Sequence, residues 1–172
     1  MTARPVIAIS SCILGQAVRY DGEIKYYPEI YQHLQTYFEL LPICPETEIG
    51  LGVPRPAVQL SGNPSYPRMT GRDDASIDVS DLMRDYCQTK IHSLSHISAY
   101  VFKSRSPSCG PNNIPVFNER QIIADNKRGL FAETVISTYP DLPIADEITL
   151  ASQPQRDTFI QQVLDYYAKQ TL

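Results

Sequence analysis

The chain has 172 residues, of which 42% are hydrophobic and 20% are charged, and its formal net charge is −4. This length and composition predict one globular domain over residues 1–172 and argue against a disordered chain. The acidic balance argues against nucleic-acid binding, which usually requires clustered basic residues. No run of residues approaches the roughly 18 apolar positions that indicate a membrane span.

The start of the chain and its cysteines favour the cytoplasm. The first residues lead directly into a strand-like run and lack the apolar core of a secretory signal. Reducing conditions in the cytoplasm keep cysteines as thiols. We therefore expect the four cysteines to serve metal binding or catalysis rather than disulfides.

Apolar runs and helical periodicity alternate along the first half of the chain. Residues 5–10 predict a strand that is apolar on both faces, as in sheets covered by helices on each side. A helix over residues 29–40 follows, with Pro28 just before it, and then a strand over residues 40–44. The Pro- and Gly-rich stretch 45–71 predicts an extended pair or a lid.

The same alternation continues to the end of the chain. The predicted elements are a helix over residues 76–95, a strand over 99–103, an apolar element over 114–117, a helix over 130–138, an edge strand over 142–145 and a helix over 155–170. The first of these helices is expected to bury one stripe, formed by Val79, Leu82, Met83, Tyr86, Cys87, Ile91 and Leu94. The pattern predicts an α/β fold with a Rossmann-like, open, mainly parallel sheet and helices on both faces.

Three of the four cysteines lie in turn-like motifs that each follow a strand-like apolar run. These are Cys12, Cys44 and Cys109, whereas Cys87 lies on a helical apolar stripe and is expected to be a core residue. Loops at the carboxyl ends of parallel strands open onto one crevice, so the three thiolates are expected to meet there. Such a set forms a metal or iron–sulfur site with one coordination position free, as a catalyst requires.

Two other interpretations of these cysteines remain open from the residues alone. Each cysteine could be a small buried hydrophobic residue, and zinc could take the place of iron. Structural zinc usually has four Cys or His ligands, often in C-x-x-C pairs, and the sequence contains no such pair. His33, His92 and His96 all fall on predicted helices, where we expect ordinary, partly exposed side chains.

Long motifs follow one another over nearly the whole chain. They are S-C-I-L-G at 11–15, V-R-Y-D-G at 18–22, P-I-C-P-E at 42–46, E-I-G-L-G-V-P-R at 48–55, S-P-S-C-G at 106–110, G-L-F-A at 129–132, L-P at 142–143, D-E at 146–147, and the single residues Arg156 and Phe159. In this order they resemble the thiouracil desulfidase family, a small bacterial domain that long had no assigned function. The resemblance implies removal of sulfur from thiolated pyrimidines such as 2-thiouracil, without net redox change.

The resemblance also implies a [4Fe–4S] cluster that is bound by Cys12, Cys44 and Cys109 and keeps one iron open for the substrate sulfur. Soft iron is expected to prefer thiocarbonyl sulfur to carbonyl oxygen and to polarise the C–S bond. The released product would be hydrosulfide. The partner is thus a small thiolated nucleobase, with no membrane involved and an oligomeric state that the sequence leaves undetermined.

Two further types of residue belong to the family site. The glutamate of the C-P-E motif corresponds to Glu46, which is expected to move a proton. A serine of the S-P-S-C-G motif takes part by orienting the substrate or the water; Ser106 is preferred and Ser108 is the alternative. Nearby charged residues are expected to hold loops together by ion pairs rather than to contact the substrate, and these are Arg19, Asp21, Lys25 and Arg55.

Three other functions compete with desulfidation. A sulfur-transfer protein related to tRNA thiolation would use the same cluster and would need a basic surface. A non-catalytic carrier of a metal or cluster would need a fourth strong ligand. An enzyme without metal would use Cys12 as a thiolate nucleophile and would be active as a colourless preparation.

Overall fold

Residues 3–172 are described by a computed structural model, in which the strands form two four-stranded sheets. The first sheet contains β1 (Val6–Ser10), β2 (Glu39–Ile43), β5 (Ala99–Phe102) and β8 (Ile144–Asp146), numbered in chain order. Its strand order is β2-β1-β5-β8, and all three pairings are parallel. The expected open, parallel sheet is confirmed.

A second, mixed sheet stands beside the first and was not expected. It contains β3 (Val58–Ser61), β4 (Arg68–Gly71), β6 (Ile114–Asn118) and β7 (Gln121–Lys127), in the order β4-β3-β6-β7. β3 and β4 form the extended pair expected within residues 45–71, and they are antiparallel. The sequence did not predict β7, because most of its side chains are exposed and form no buried apolar pattern.

Helices cover both faces of the parallel sheet, as expected. They are α1 (Pro28–Tyr37), α2 (Pro45–Glu48), α3 (Ser80–Lys90), α4 (Leu130–Thr138) and α5 (Gln153–Gln170). Ile7 and Ile9 of β1 point to a buried cluster that includes Leu34 of α1 and Phe159 of α5. Ala8 points the other way, to a cluster that includes residues of α3, α4 and the second sheet. β1 is therefore buried on both faces.

Several element ends differ from the expectation for local reasons. α1 ends at Tyr37 because Phe38 takes an extended conformation (φ −128°, ψ 154°) and the chain enters β2. α3 begins at Ser80, where the carboxylate of Asp78 accepts the Ser80 amide N–H at 3.0 Å. The end of the expected helix 76–95 is a separate 3₁₀ turn, Ile91–Leu94.

The apolar stripe expected on α3 is correct except at one position. Met83 is fully buried and Cys87 is 3% exposed, whereas Leu82 is 49% exposed and lies on the solvent side. No helix within residues 3–172 is long and apolar enough to cross a bilayer. The fold thus buries α3 against α4 and leaves the loops that follow β1, β2 and β5 at one edge of the parallel sheet.

The neighbouring residues Leu82 and Met83 provide a matched test of this packing. Met83→Ala is expected to lower the free energy of unfolding by about 2–5 kcal/mol, because it leaves a cavity in the core. Leu82→Ala is expected to change it by less than about 0.5 kcal/mol, as is usual for surface positions. Urea denaturation of both variants measures the difference, and equal losses would contradict the assigned helix face.

Candidate functional site: three thiols at the edge of the parallel sheet

A cavity of about 360 Å³ opens at the carboxyl ends of β1, β2 and β5. Cys12, Cys44 and Cys109 all line it, although they come from three separate loops. Cys109 is 5% exposed, and Cys12 and Cys44 are half-buried. Cys87, on α3, does not line the cavity and is buried in the core, as expected. The crevice at the strand ends is where ligands of such sheets bind.

A tight turn directly after β1 carries Cys12. The chain forms a 3₁₀ turn, Ser11–Ile13, and the amide of Gly15 donates to the carbonyl of Cys12 at 3.3 Å. Gly15 has φ +76°, a conformation that side chains disfavour. A Cβ at this position would also lie 3.0 Å from the ring of Tyr26. Glycine is therefore required for the bend that turns Cys12 towards the cavity.

Cys44 lies at the junction between β2 and α2. Pro45 occupies the first position of this short helix, where a missing N–H costs nothing. The carboxylate of Glu48 reaches back and accepts the amide N–H of Cys44 at 3.1 Å. The sulfur of Cys44 lies 3.9 Å from the carbonyl oxygen of Val18, in the loop that follows Cys12. The two loops are thus in contact.

The loop that carries Cys109 is joined by its backbone to the amino end of α4. The carbonyl of Ser108 accepts the amides of Phe131 and Ala132, both at 3.0 Å, and the carbonyl of Pro107 accepts that of Leu130. These bonds satisfy amides that a helix start otherwise leaves without partners. A Cβ on Gly129 would lie 2.5 Å from the carbonyl carbon of Ser108, so glycine permits the close approach.

The two candidate serines differ in their surroundings. Ser106 lines the cavity, and its hydroxyl accepts the amides of Cys109 at 3.0 Å and Ser108 at 3.2 Å, which closes the turn. Ser108 is fully buried, and its hydroxyl donates to Glu46 Oε2 at 2.9 Å. Ser106 therefore faces the cavity, while Ser108 acts on the glutamate.

Glu46 lines the cavity, and both of its carboxylate oxygens have partners. Oε2 accepts the Ser108 hydroxyl, and Oε1 accepts Arg55 Nε at 3.2 Å. The Arg55 side chain is 4% exposed and also donates to the carbonyl of Gly52 at 2.8 Å. The carboxylate is thus fixed in one orientation by charge-assisted bonds.

Lys103 was not identified from the sequence, and it lines the cavity directly after β5. Its Nζ donates to Glu147 Oε1 at 2.6 Å and to the carbonyl of Ser104 at 3.1 Å. Burial would raise the pKa of Glu147, but hydrogen bonds from Lys103 and Ser104 outweigh it and hold that pKa below its usual value. The sequence signal that could have identified Lys103 is a charged residue directly after an apolar strand.

The cavity wall is basic although the chain as a whole is acidic. Its basic residues are Arg19, Lys25, Arg55, Arg72, Lys103 and Arg105, and Glu46 is the acidic residue among the described lining residues. Arg19 pairs with Asp21 at 2.9 Å, and Arg55 pairs with Glu46, as the sequence suggested. Lys25 forms no ion pair within residues 3–172, contrary to expectation. The wall suits a negatively charged occupant.

The thiols of Cys12 and Cys109 are protonated at neutral pH in the protein alone. Burial raises the pKa of Cys12 to about 11, and burial together with the neighbouring Cys44 and Cys12 raises the pKa of Cys109 well above its usual value. Because the thiolate is the metal ligand, a metal must displace these protons when it binds.

The donor set fits an iron–sulfur cluster better than one metal ion. Within residues 3–172, no group of three or more His, Cys, Asp or Glu side chains is arranged to hold a single ion. No histidine of that range lines the cavity. Three thiols around a common space, without nitrogen ligands, suit a polynuclear cluster, in which each cysteine would bind a different iron. A single zinc ion, the rival from the sequence, lacks its ligand set here.

The contact between Gly129 and the Cys109 loop can be tested by substitution. Gly129→Ala is expected to lower the free energy of unfolding by about 1–3 kcal/mol, because the added Cβ pushes the loop away from α4. Thermal unfolding measures the loss, and thiol labelling measures the exposure of Cys109. Ser137→Ala, at an exposed position of α4, is the control and should be neutral. Unchanged stability and labelling in Gly129→Ala would contradict the close approach.

Comparison with known proteins agrees with this geometry. The sequence model of the 2-thiouracil desulfurase family matches residues 7–147. A solved structure, the [4Fe–4S]-dependent thiouracil desulfidase TudS, resembles the chain with a TM-score of 0.64 and 25% identity, over 86% of this chain and 94% of that one. No curated protein matches the sequence. Since the family model spans most of its length, the chain belongs to the 2-thiouracil desulfurase family.

Proposed function

We propose that the chain is an iron–sulfur enzyme that removes sulfur from thiolated pyrimidines such as 2-thiouracil and releases hydrosulfide, without net redox change. Its family and the similar [4Fe–4S]-dependent desulfidase support this function. The observation that carries the proposal is the convergence of three thiols from separate loops on one cavity. A cavity of about 360 Å³ suits a small base.

Cys12, Cys44 and Cys109 are proposed to hold a [4Fe–4S] cluster with one iron open. When bound, the cluster supplies a soft Lewis acid that attracts thiocarbonyl sulfur and polarises the C–S bond. The three loops contribute rigidity, because each is fixed by backbone hydrogen bonds or by a glycine or proline turn. The basic wall offsets the negative charge that thiolates bring to the cavity.

Glu46 is proposed to move the proton of the attacking water. Water gives its oxygen to the carbon that loses sulfur, and the proton it releases needs an acceptor within reach. Glu46 lines the cavity, and Ser108 and Arg55 keep its carboxylate in place. Ser106, which also lines the cavity, is proposed to orient the base or the water. We assign the reaction to the reducing cytoplasm, in agreement with four free thiols.

Single cysteine variants test the cluster ligands. Cys12→Ala, Cys44→Ala and Cys109→Ala are each expected to lose most bound iron and all turnover after anaerobic reconstitution with iron and sulfide, because each removes one of three ligands. Cys87→Ala is the control and should keep both, since this thiol lies in the core. Iron and sulfide content, the visible spectrum and hydrosulfide release from 2-thiouracil are measured. A brown, active Cys44→Ala protein would refute the ligand set.

The role of Glu46 is tested by Glu46→Gln, whose amide oxygen can still accept from Arg55 and whose NH2 can donate to the Ser108 hydroxyl, but which cannot take up the proton. We expect normal iron content and a 10²- to 10⁴-fold lower kcat, the usual range for a lost general base, about 3–5 kcal/mol. Glu29→Gln, on the exposed side of α1, serves as the control. Full activity in Glu46→Gln would remove this carboxylate from the mechanism.

A further inference from the structure

Tyr100 carries a hydroxyl group that has no hydrogen-bond partner in the described part of the chain, although its side chain is fully buried. Among residues 3–172, the hydroxyl of Tyr86 is the other buried side-chain oxygen without a hydrogen-bond partner. A buried hydroxyl that loses water without gaining a partner destabilises the fold, and phenylalanine would fill the same space without that cost. Native proteins rarely leave such groups unsatisfied, so an acceptor from outside the chain is indicated.

The position of Tyr100 limits what that acceptor can be. Its ring stacks on Phe102 at a centroid distance of 4.0 Å and meets Phe131 edge-on at 5.9 Å, which fixes the direction of the phenol. Cys109 belongs to the same buried cluster of side chains. The side chain is therefore held on the α3–α4 side of the sheet, next to Phe131, whose amide donates to the carbonyl of Ser108 in the loop that carries Cys109.

The electrostatic surroundings of Tyr100 also indicate Cys109 as a neighbour. Burial raises the pKa of Tyr100 well above its usual value, and a negative charge on Cys109 would raise it further. The phenol is therefore a permanent O–H donor at any working pH. Neutral thiols are weak acceptors, whereas the thiolates and sulfides of a bound cluster are negatively charged acceptors.

We propose that the Tyr100 hydroxyl donates a hydrogen bond to a sulfur on the Cys109 side of the bound cluster and thereby sets the cluster's reduction potential. This inference rests on the proposed function, because it requires the cluster. Hydrogen bonds to cluster sulfurs favour the reduced, more negative state and raise the potential. Tyr100 is thus a positioning residue that would act from the core, since it is buried there and does not line the cavity.

The sign of the effect on stability should differ between the two forms of the protein. In the protein without a cluster, Tyr100→Phe removes an unsatisfied hydroxyl and should leave the unfolding midpoint unchanged or raise it. In the reconstituted protein, the same change removes a satisfied donor and should speed cluster loss. Tyr139→Phe is the control, because the Tyr139 hydroxyl donates to the carbonyl of Ile91 at 2.9 Å. Loss of this hydrogen bond should lower the stability of both forms.

Reduction potentials provide the decisive readout. Anaerobic spectroelectrochemistry of the reconstituted proteins should show a more negative potential in Tyr100→Phe, with the reduction equilibrium shifted up to tenfold, or about 59 mV for one electron. Tyr139→Phe should match the unmodified protein. An unchanged potential in Tyr100→Phe, or a shift in Tyr86→Phe alone, overturns this inference and leaves the proposed function intact. Failure of the unmodified protein to assemble any cluster overturns both.

Discussion

Backbone hydrogen bonds between the loop of Cys109 and the first turn of α4 are the contacts on which the site depends. Carbonyl groups of Pro107 and Ser108 occupy the amides that a helix start normally offers to water or to an anion. The helix is in turn buried against α3, so the position of one thiol is set by the packing of the core. Because Ser108 also holds Glu46, the same loop positions both the proposed ligand and the proposed base.

The basic wall of the cavity is not apparent from the overall charge of the chain. The net charge of −4 sums the whole chain, whereas the cavity gathers basic residues from four separate segments. A local field depends on where charges converge in space, which a composition does not record. Part of this positive charge is already neutralised, since Arg19, Arg55 and Lys103 each pair with a carboxylate. Lys25 and Arg105 form no ion pair among residues 3–172 and provide the unbalanced charge.

The sequence predicted best those features that local patterns encode. The buried strand β1 and the helix α4 were correctly located, because β1 is a continuous apolar run that ends at Ser10, and α4 begins after Gly129 and stops before Pro140. The meeting of Cys12, Cys44 and Cys109 followed from one topological rule about strand ends. The second sheet was missed, since the exposed β7 pairs through its backbone and has no apolar signature.

Other parts of the site depend on tertiary contacts that no local pattern contains. The Ser106 hydroxyl faces the cavity yet is already engaged with two amides, while Ser108 reaches a glutamate from another loop. Lys103 is held in position by the carboxylate of Glu147, which follows α4 in the sequence. The unsatisfied hydroxyl of Tyr100 is visible only as a missing partner in a packed interior. The catalytic and ligand roles of the candidate residues stay predictions.

The separation of the three thiols along the chain has a consequence for biogenesis. An unfolded polypeptide offers no pair of neighbouring sulfurs to capture iron, since each cysteine lies in a different loop between strands and helices. The cofactor therefore arrives at a scaffold that has already folded, and that scaffold must survive in the cell while empty. Any gain in the affinity of the folded protein for the cluster then adds to the free energy of unfolding of the cluster-bound protein.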